Sequence, residues 1–316
     1  MSRLSKAVGP LRPFVSESLW ADVYVFKEWL SWRLSRARKS EERWDPRRSL
    51  IGKQTDGDDP VFVLSAGWRS GSTLLQRLVL SARRWLIWGE PYGDMMLLSA
   101  LAERLKRLGN DWPPDDYVLD ATRGTKDLQD QWIANMYPPP HCVVDGARSL
   151  LESSFAAPAH ALDWPGWGFK EVRFGYDEAV LLSSMYPAGK FVMIVRNPFD
   201  AWQSYATSYR GTYFRWPDDR VFGASHFGRL WSELASDLDA FVDCHRGILV
   251  RYEDLTCDGG ETFARIQSYL DVELDRDVLS HNVGTHRARS SYRELTSLTK
   301  AVLGGSTRET RLKFGY

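Results

Sequence analysis

The stretch that most limits what this chain can fold into is Val61-Phe-Val-Leu-Ser65 running directly into Ala66-Gly-Trp-Arg-Ser-Gly-Ser-Thr73. The first five residues are β-branched, aromatic and aliphatic with no alternating polar position, the pattern of a strand buried on both faces. From Ser72 to about Arg83, Leu74, Leu75, Leu78 and Val79 recur at helical spacing. A strand, a glycine-rich turn and a helix bring several backbone N–H groups and the positive end of a helix dipole to one point, which attracts an oxyanion. Gly71 lets the backbone approach that anion closely. Ser70, Gly71, Ser72 and Thr73 are therefore the expected anion-binding residues.

The loop departs from the nucleoside triphosphate pattern Gly-x4-Gly-Lys-Ser/Thr. In that register the chain has Ala66 for the first Gly and Ser72 for the Lys. Its cation lies inside the turn, at Arg69, placed to reach the bridging oxygen between a 5′-phosphate and the group leaving from it.

Short apolar runs follow at Trp85–Trp88, Cys142–Val144, Gly168–Val172, Phe191–Val195 and Ile248–Tyr252, separated mainly by segments of helical character. Such alternation predicts an α/β fold with a mostly parallel central sheet flanked by helices. Upstream, Trp20, Trp29 and Trp32 lie in a helical pattern from Phe14 to Arg38, read as an amphipathic helix packed on the domain, and 39–59 is a polar connection. The expected division is a helical extension and linker over 1–56 and a catalytic domain over 57–316.

Composition narrows the classes. Forty-one basic residues balance forty-one acidic ones, so no global field draws the chain to nucleic acid or anionic lipid, and an anion site must be local. Cys142, Cys244 and Cys257 are scattered, odd in number and without metal-ligand spacing, which fits a reducing cytoplasm rather than a disulfide framework or zinc site. No apolar run approaches the ~20 residues that span a bilayer, and no signal-peptide pattern follows Arg3 and Lys6. A soluble cytoplasmic protein is the expectation.

Arg69-Ser-Gly-Ser-Thr73 resembles the 5′-phosphosulfate loop of the sulfotransferase superfamily, which uses 3′-phosphoadenosine 5′-phosphosulfate (PAPS) and leaves 3′-phosphoadenosine 5′-phosphate (PAP). The Arg form is similar to that of tyrosylprotein and bacterial carbohydrate sulfotransferases. Phe191-Val-Met-Ile-Val-Arg-Asn-Pro-Phe-Asp200 with Ser204, eight residues after Arg196, is similar to the family's 3′-phosphate segment. The resemblance implies a P-loop NTPase-like sulfotransferase fold, with Arg196 and Ser204 on the 3′-phosphate. Arg196 would end a strand, where α/β sheets place ligands, and Pro198 suits a first helical turn. Ile248-Leu-Val-Arg-Tyr-Glu-Asp-Leu255 looks like the family's late strand and turn, and its carboxylates read as scaffold.

Many cytosolic members carry a Lys followed two residues later by a catalytic His. Here Gly168-Phe-Lys-Glu-Val-Arg173 supplies Lys170, but Val172 stands where that His would be. Tyrosylprotein and trehalose sulfotransferases instead use a Glu about twenty residues past the loop Arg, and Gly89-Glu90-Pro91 lies at that interval. The resemblance thus assigns Glu90 as base, with Arg69 and Lys170 stabilising charge on the sulfuryl group and bridging oxygen. Glu171 is a second candidate, although strand alternation turns it away from Lys170. His141, His226, His281 and His286 show no nucleophile pairing, whereas Arg287 and Arg289 in His286-Arg-Ala-Arg-Ser-Ser291 are candidates to close over the nucleotide.

The reading is a PAPS-dependent, metal-independent sulfotransferase acting on a hydroxyl of a small metabolite or glycoside. A kinase-like nucleotide phosphotransferase, which the same fold hosts, and a non-catalytic PAP-binding protein remain alternatives. Aromatic residues from Tyr209 to Trp216 suit either a sugar or a lipophilic acceptor.

Overall fold

The computed structural model describes residues 59–108, 112–119, 128, 134–209, 215–216, 219–221, 223–245, 247–257, 260–280 and 295–316. The Trp-bearing stretch 14–38, the polar connection up to 58, most of the 209–216 loop, His281, His286, Arg287 and Arg289 lie outside these residues.

Strand β1 (Val61–Ser65) is buried along its whole length. It pairs in parallel with β3 (Gly166–Glu171) on one edge and with β4 (Lys190–Val195) on the other. Strand β2 (Trp85–Trp88) extends the sheet beyond β3, and β7 (Ile248–Arg251) extends it beyond β4. The result is a five-stranded parallel sheet in the order β2-β3-β1-β4-β7, beside a two-residue hairpin of β5 (Arg215–Trp216) and β6 (Asp219–Arg220).

Helices cover both faces because the strands have no wet face to offer. Alternate residues of β1 divide between two cores: Phe62 and Leu64 join one, Val61 and Val63 the other. The first core takes side chains from α2 (Leu97–Leu105), α3 (His141–Leu151), α5 (Tyr176–Met185), α6 (Pro198–Tyr209), α7 (Gly223–Cys244) and α10 (Ser297–Lys313). The second takes α1 (Ser72–Ser81), α8 (Tyr252–Cys257) and α9 (Glu261–Leu270). Because α1 leads to one side of β1 and β4 lies on the other, the crevice over the β1 carboxyl end is the topological switch point where α/β sheets bind ligands.

One expected strand is not one. Cys142–Val144 lies in α3, which a π turn (Glu152–Ala156) and the short α4 (Ala157–His160) continue. Three apolar residues cannot distinguish strand from helix, whereas Val144, Ala147 and Leu151 bury at helical spacing. Strand β3 begins two residues earlier than its apolar run, at Gly166, and Val172 falls outside it.

Close approach of strands explains Gly168. A Cβ there would overlap the Val61 carbonyl and press on Ile87. We expect Gly168→Ala to lower unfolding free energy by about 2–3 kcal/mol, measured by urea denaturation.

Asp237 on half-buried α7 surface is a second stability feature. Burial first, then repulsion from Glu233, raises its carboxyl from 3.8 to about 7, while a hydrogen bond from the Tyr176 N–H acts against the shift. A raised folded-state value favours the protonated form, so this group's contribution is present below about pH 4 and is lost as pH rises through 7. Asp237→Asn should therefore be more stable than the parent at pH 8, by about 1–2 kcal/mol after allowance for solvent screening. The difference should close toward pH 4 in melts across that range.

Candidate active site

The sheet's shared register brings the ends of β2, β3, β1 and β4 to one edge, and each candidate side chain leaves from there. After β1 the chain is pinned by the Ala66 N–H to the Ile194 carbonyl, 3.1 Å, and by the Gly67 N–H to the Ser65 carbonyl, 2.7 Å. It then turns through left-handed conformations at Gly67, Arg69 and Gly71, with φ of 81°, 64° and 94°. For Arg69 this costs conformational energy that the neighbouring structure must hold.

Gly71 is the N-cap of α1, and no side chain caps that helix and no acid stands in its first turn. The first-turn N–H groups thus remain available to an anion. A Cβ on Gly71 would collide with the Tyr252 ring, so glycine is required by space as well as by φ. Ser70 is buried, and its hydroxyl hydrogen-bonds the Gly67 carbonyl rather than facing a ligand.

Beyond β4, Asn197 caps α6: its Oδ1 accepts from the Phe199 N–H at 2.9 Å, with Pro198 at the first helical position. The buried Ser204 hydroxyl accepts from Arg69 Nε at 2.9 Å, and Arg196 Nη1 donates to the Arg69 carbonyl at 3.1 Å. The Arg196 guanidinium lies over the Tyr252 ring, 4.4 Å from its centroid. Its Nε is buried without a hydrogen-bond partner among the described residues. Asp200, one turn away, is exposed and forms no ion pair with Arg196 among the described residues. Arg69, Arg196 and Ser204 therefore form one cationic corner beside the glycine turn.

A second group stands at the ends of β2 and β3. Lys170 Nζ lies 2.6 Å from Glu90 Oε1, and Arg173 Nη2 is 3.3 Å from Glu90 Oε2. Lys170 is nearly buried, whereas the Glu90 side chain retains 29% exposure, enough for a substrate to reach it. Glu90 does not cap the short turn that follows it; both its oxygens face cations from β3 and the turn beyond.

Glu171 has a different environment. Register places Lys170 beside Val63 and Glu171 beside Leu64, on opposite faces of the sheet. Glu171 is 1% exposed and engages Arg173 through two bonds of 2.9 and 3.0 Å. It also accepts the Val172 and Arg173 N–H groups. Burial pushes its carboxyl up, while Arg173 and the Val172 N–H pull against that shift. The outcome is a buried brace that aims Arg173 at Glu90.

Arg173 was not singled out in the sequence, because the chain turns after Glu171 and strand alternation no longer says where a side chain goes. Glu253, whose sequence context reads as scaffold, accepts the Asn197 N–H at 2.9 Å, directly behind Arg196. His226 is buried in α7, and the three cysteines are exposed and free. Among the described residues there is no group of three or more His, Cys, Asp or Glu fit to hold a metal, and no helix is long and apolar enough to cross a membrane.

The ionic chain yields a stability prediction that separates brace from chemistry. Arg173→Met strands the buried Glu171 charge and should cost about 3–5 kcal/mol. Lys170→Met leaves Glu90 its Arg173 partner and should change stability by about 1 kcal/mol or less. Chemical denaturation of the two variants checks the contrast.

The sequence model described as the Sulfotransferase family matches residues 60–276. No curated protein matches the chain. Among solved structures, a sulfotransferase domain from the curacin biosynthetic pathway is 14% identical, covering 84% of this chain and 99% of its own, with a TM-score of 0.47. The sulfotransferase domain of the Synechococcus PCC 7002 olefin synthase is 18% identical, covering 87% and 99%, at 0.46. Mouse sulfotransferase SULT7A1, complexed with PAP, is 12% identical, covering 72% and 64%, at 0.35.

Proposed function

The chain belongs to the Sulfotransferase family, and from that premise we propose that it transfers a sulfuryl group from PAPS to a hydroxyl of a small metabolite or glycoside. The observation that carries the donor reading is the Arg196 corner: a guanidinium seated on Tyr252, next to Ser204 and Arg69, with a buried Nε that has no hydrogen-bond partner among the described residues. A buried N–H of this kind is costly unless a ligand satisfies it. A planar fork beside a hydroxyl suits the oxygens of a 3′-phosphate.

In this reading the 5′-phosphosulfate lies across the turn, met by the N–H groups from Ser70 to Thr73 and by Arg69. The donor supplies the reactive S–O bond, which breaks toward the 5′-phosphate as a new S–O bond forms to the acceptor oxygen. Glu90 takes the acceptor's proton. Lys170 and Arg69 carry the charge that gathers on the bridging and sulfuryl oxygens. Lys170, already 2.6 Å from Glu90, keeps the base and the leaving-side cation within one hydrogen bond of each other. Arg173, braced by Glu171, fixes the other carboxylate oxygen.

Calorimetric titration with PAP, adenosine 5′-monophosphate and ATP tests the donor site. PAP should bind tightest, and Arg196→Ala should weaken PAP by about 10–100-fold with little change for the monophosphate. Equal or better ATP binding favours a phosphotransferase instead. Glu90→Gln should lower kcat by about 10²–10⁴-fold while PAP binding persists; near-parental turnover in a folded variant removes Glu90 from the mechanism.

A further inference from the structure

The Arg196–Asn197 peptide lies where the β4 ladder ends, and side chains from two other elements hold its backbone. Trp231 Nε1 on α7 donates to the Arg196 carbonyl at 3.0 Å. Glu253 Oε1 on α8 accepts from the Asn197 N–H at 2.9 Å. The other Glu253 oxygen, Oε2, accepts from the Tyr316 hydroxyl at 2.7 Å, so one carboxylate joins the nucleotide-facing turn to the residues after α10.

Tyr316 is itself fixed on several sides. Its hydroxyl also lies 3.4 Å from the Val195 carbonyl, the last residue of β4. Arg311 Nη1 donates to its carbonyl oxygen at 2.7 Å, and its N–H bonds the Arg311 carbonyl at 3.0 Å. The Arg251 guanidinium sits 4.5 Å from its ring centroid, and Trp231 packs 6.4 Å away. Burial and the bond to Glu253 both push the phenol up, so it stays a hydrogen-bond donor through the ordinary pH range.

We propose that Glu253 and Tyr316 are positioning residues that set the Arg196 guanidinium for the donor's 3′-phosphate; the inference rests on the donor reading above. The Cα–Cβ bond of Arg196, which sets where its side chain starts, is fixed when the peptide groups on both sides are fixed, and the Tyr252 ring and Arg69 carbonyl then restrict the far end. Trp231 and Glu253 hold the carbonyl and the following N–H of that one peptide unit. Tyr316 holds Glu253 in turn, while Tyr252 beneath the guanidinium sets its height over Gly71. Discrimination for the 3′-phosphate is therefore built partly from residues far from the Arg196 segment in sequence, which act through the Arg196 backbone and the ring beneath its guanidinium.

The test compares affinity for PAP with affinity for adenosine 5′-monophosphate, because only PAP carries the 3′-phosphate that Arg196 meets. Tyr316→Phe keeps the ring and removes the hydroxyl. It should reduce the PAP-to-monophosphate affinity ratio by about 5-fold, and Glu253→Leu by about 20-fold or more, the range expected when a hydrogen bond to a charged group is lost. Glu253→Gln, which retains an acceptor for Asn197, should recover most of the ratio. A folded Tyr316→Phe with the parental ratio overturns the proposal, as does equal weakening of both nucleotides, which marks a general scaffold role. A parental protein with no preference for PAP overturns the donor reading and this inference with it, so the two failures are distinguishable.

Discussion

Strand β1 is hydrogen-bonded in parallel along both edges and buried on both faces, and the edge that carries the candidate site depends on that confinement. A strand so enclosed cannot slip in register without moving side chains out of both cores. Its carboxyl end is therefore a fixed point. From that point the turn delivers Arg69 and α1, β3 delivers Lys170, and β4 delivers Arg196, all within neighbouring slots of one sheet. The left-handed residues of the turn are tolerated because β1 and α1 anchor both its ends.

Electrostatics at this edge is divided into two unlike parts. On the β1–β4 side, cations outnumber acids: Arg69 and Arg196 converge with Ser204 and uncapped helix N–H groups. On the β2–β3 side, charges alternate through Lys170, Glu90, Arg173 and Glu171. The first part suits a polyanion, and the second holds the Glu90 carboxylate in place without leaving it isolated. Depth separates the roles within the second part. Glu171 and Arg173 are nearly sealed and act as framework, whereas Glu90 keeps an open side.

Tyr252 joins the two motifs that carry the nucleotide reading. Its ring lies against Gly71 of the turn and under the guanidinium of Arg196. The next residue, Glu253, holds the peptide after Arg196. A segment that reads as the end of a strand and the start of a helix is thus the support on which both the glycine turn and Arg196 rest, and Tyr316 closes the same support from the side of α10.

Sequence alone determined what depends on contiguous backbone. The strand, turn and helix from Val61 to Ser81 and the Arg196-to-Ser204 strand-to-helix spacing were legible because local φ/ψ preferences and helical periodicity decide them within a few residues. The parallel sheet was legible from unbroken apolar runs, although Cys142–Val144 was too short to reveal its helix. Tertiary structure decided what depends on which strands become neighbours. Glu90 meets Lys170 across eighty residues of chain because β3 inserts between β2 and β1. Arg173 reaches Glu90 only because buried Glu171 steers it, and Tyr316 reaches Glu253 only because α10 packs along α7. Those contacts join residues whose separation along the chain carries no periodicity, so burial and strand order, rather than local pattern, determine them.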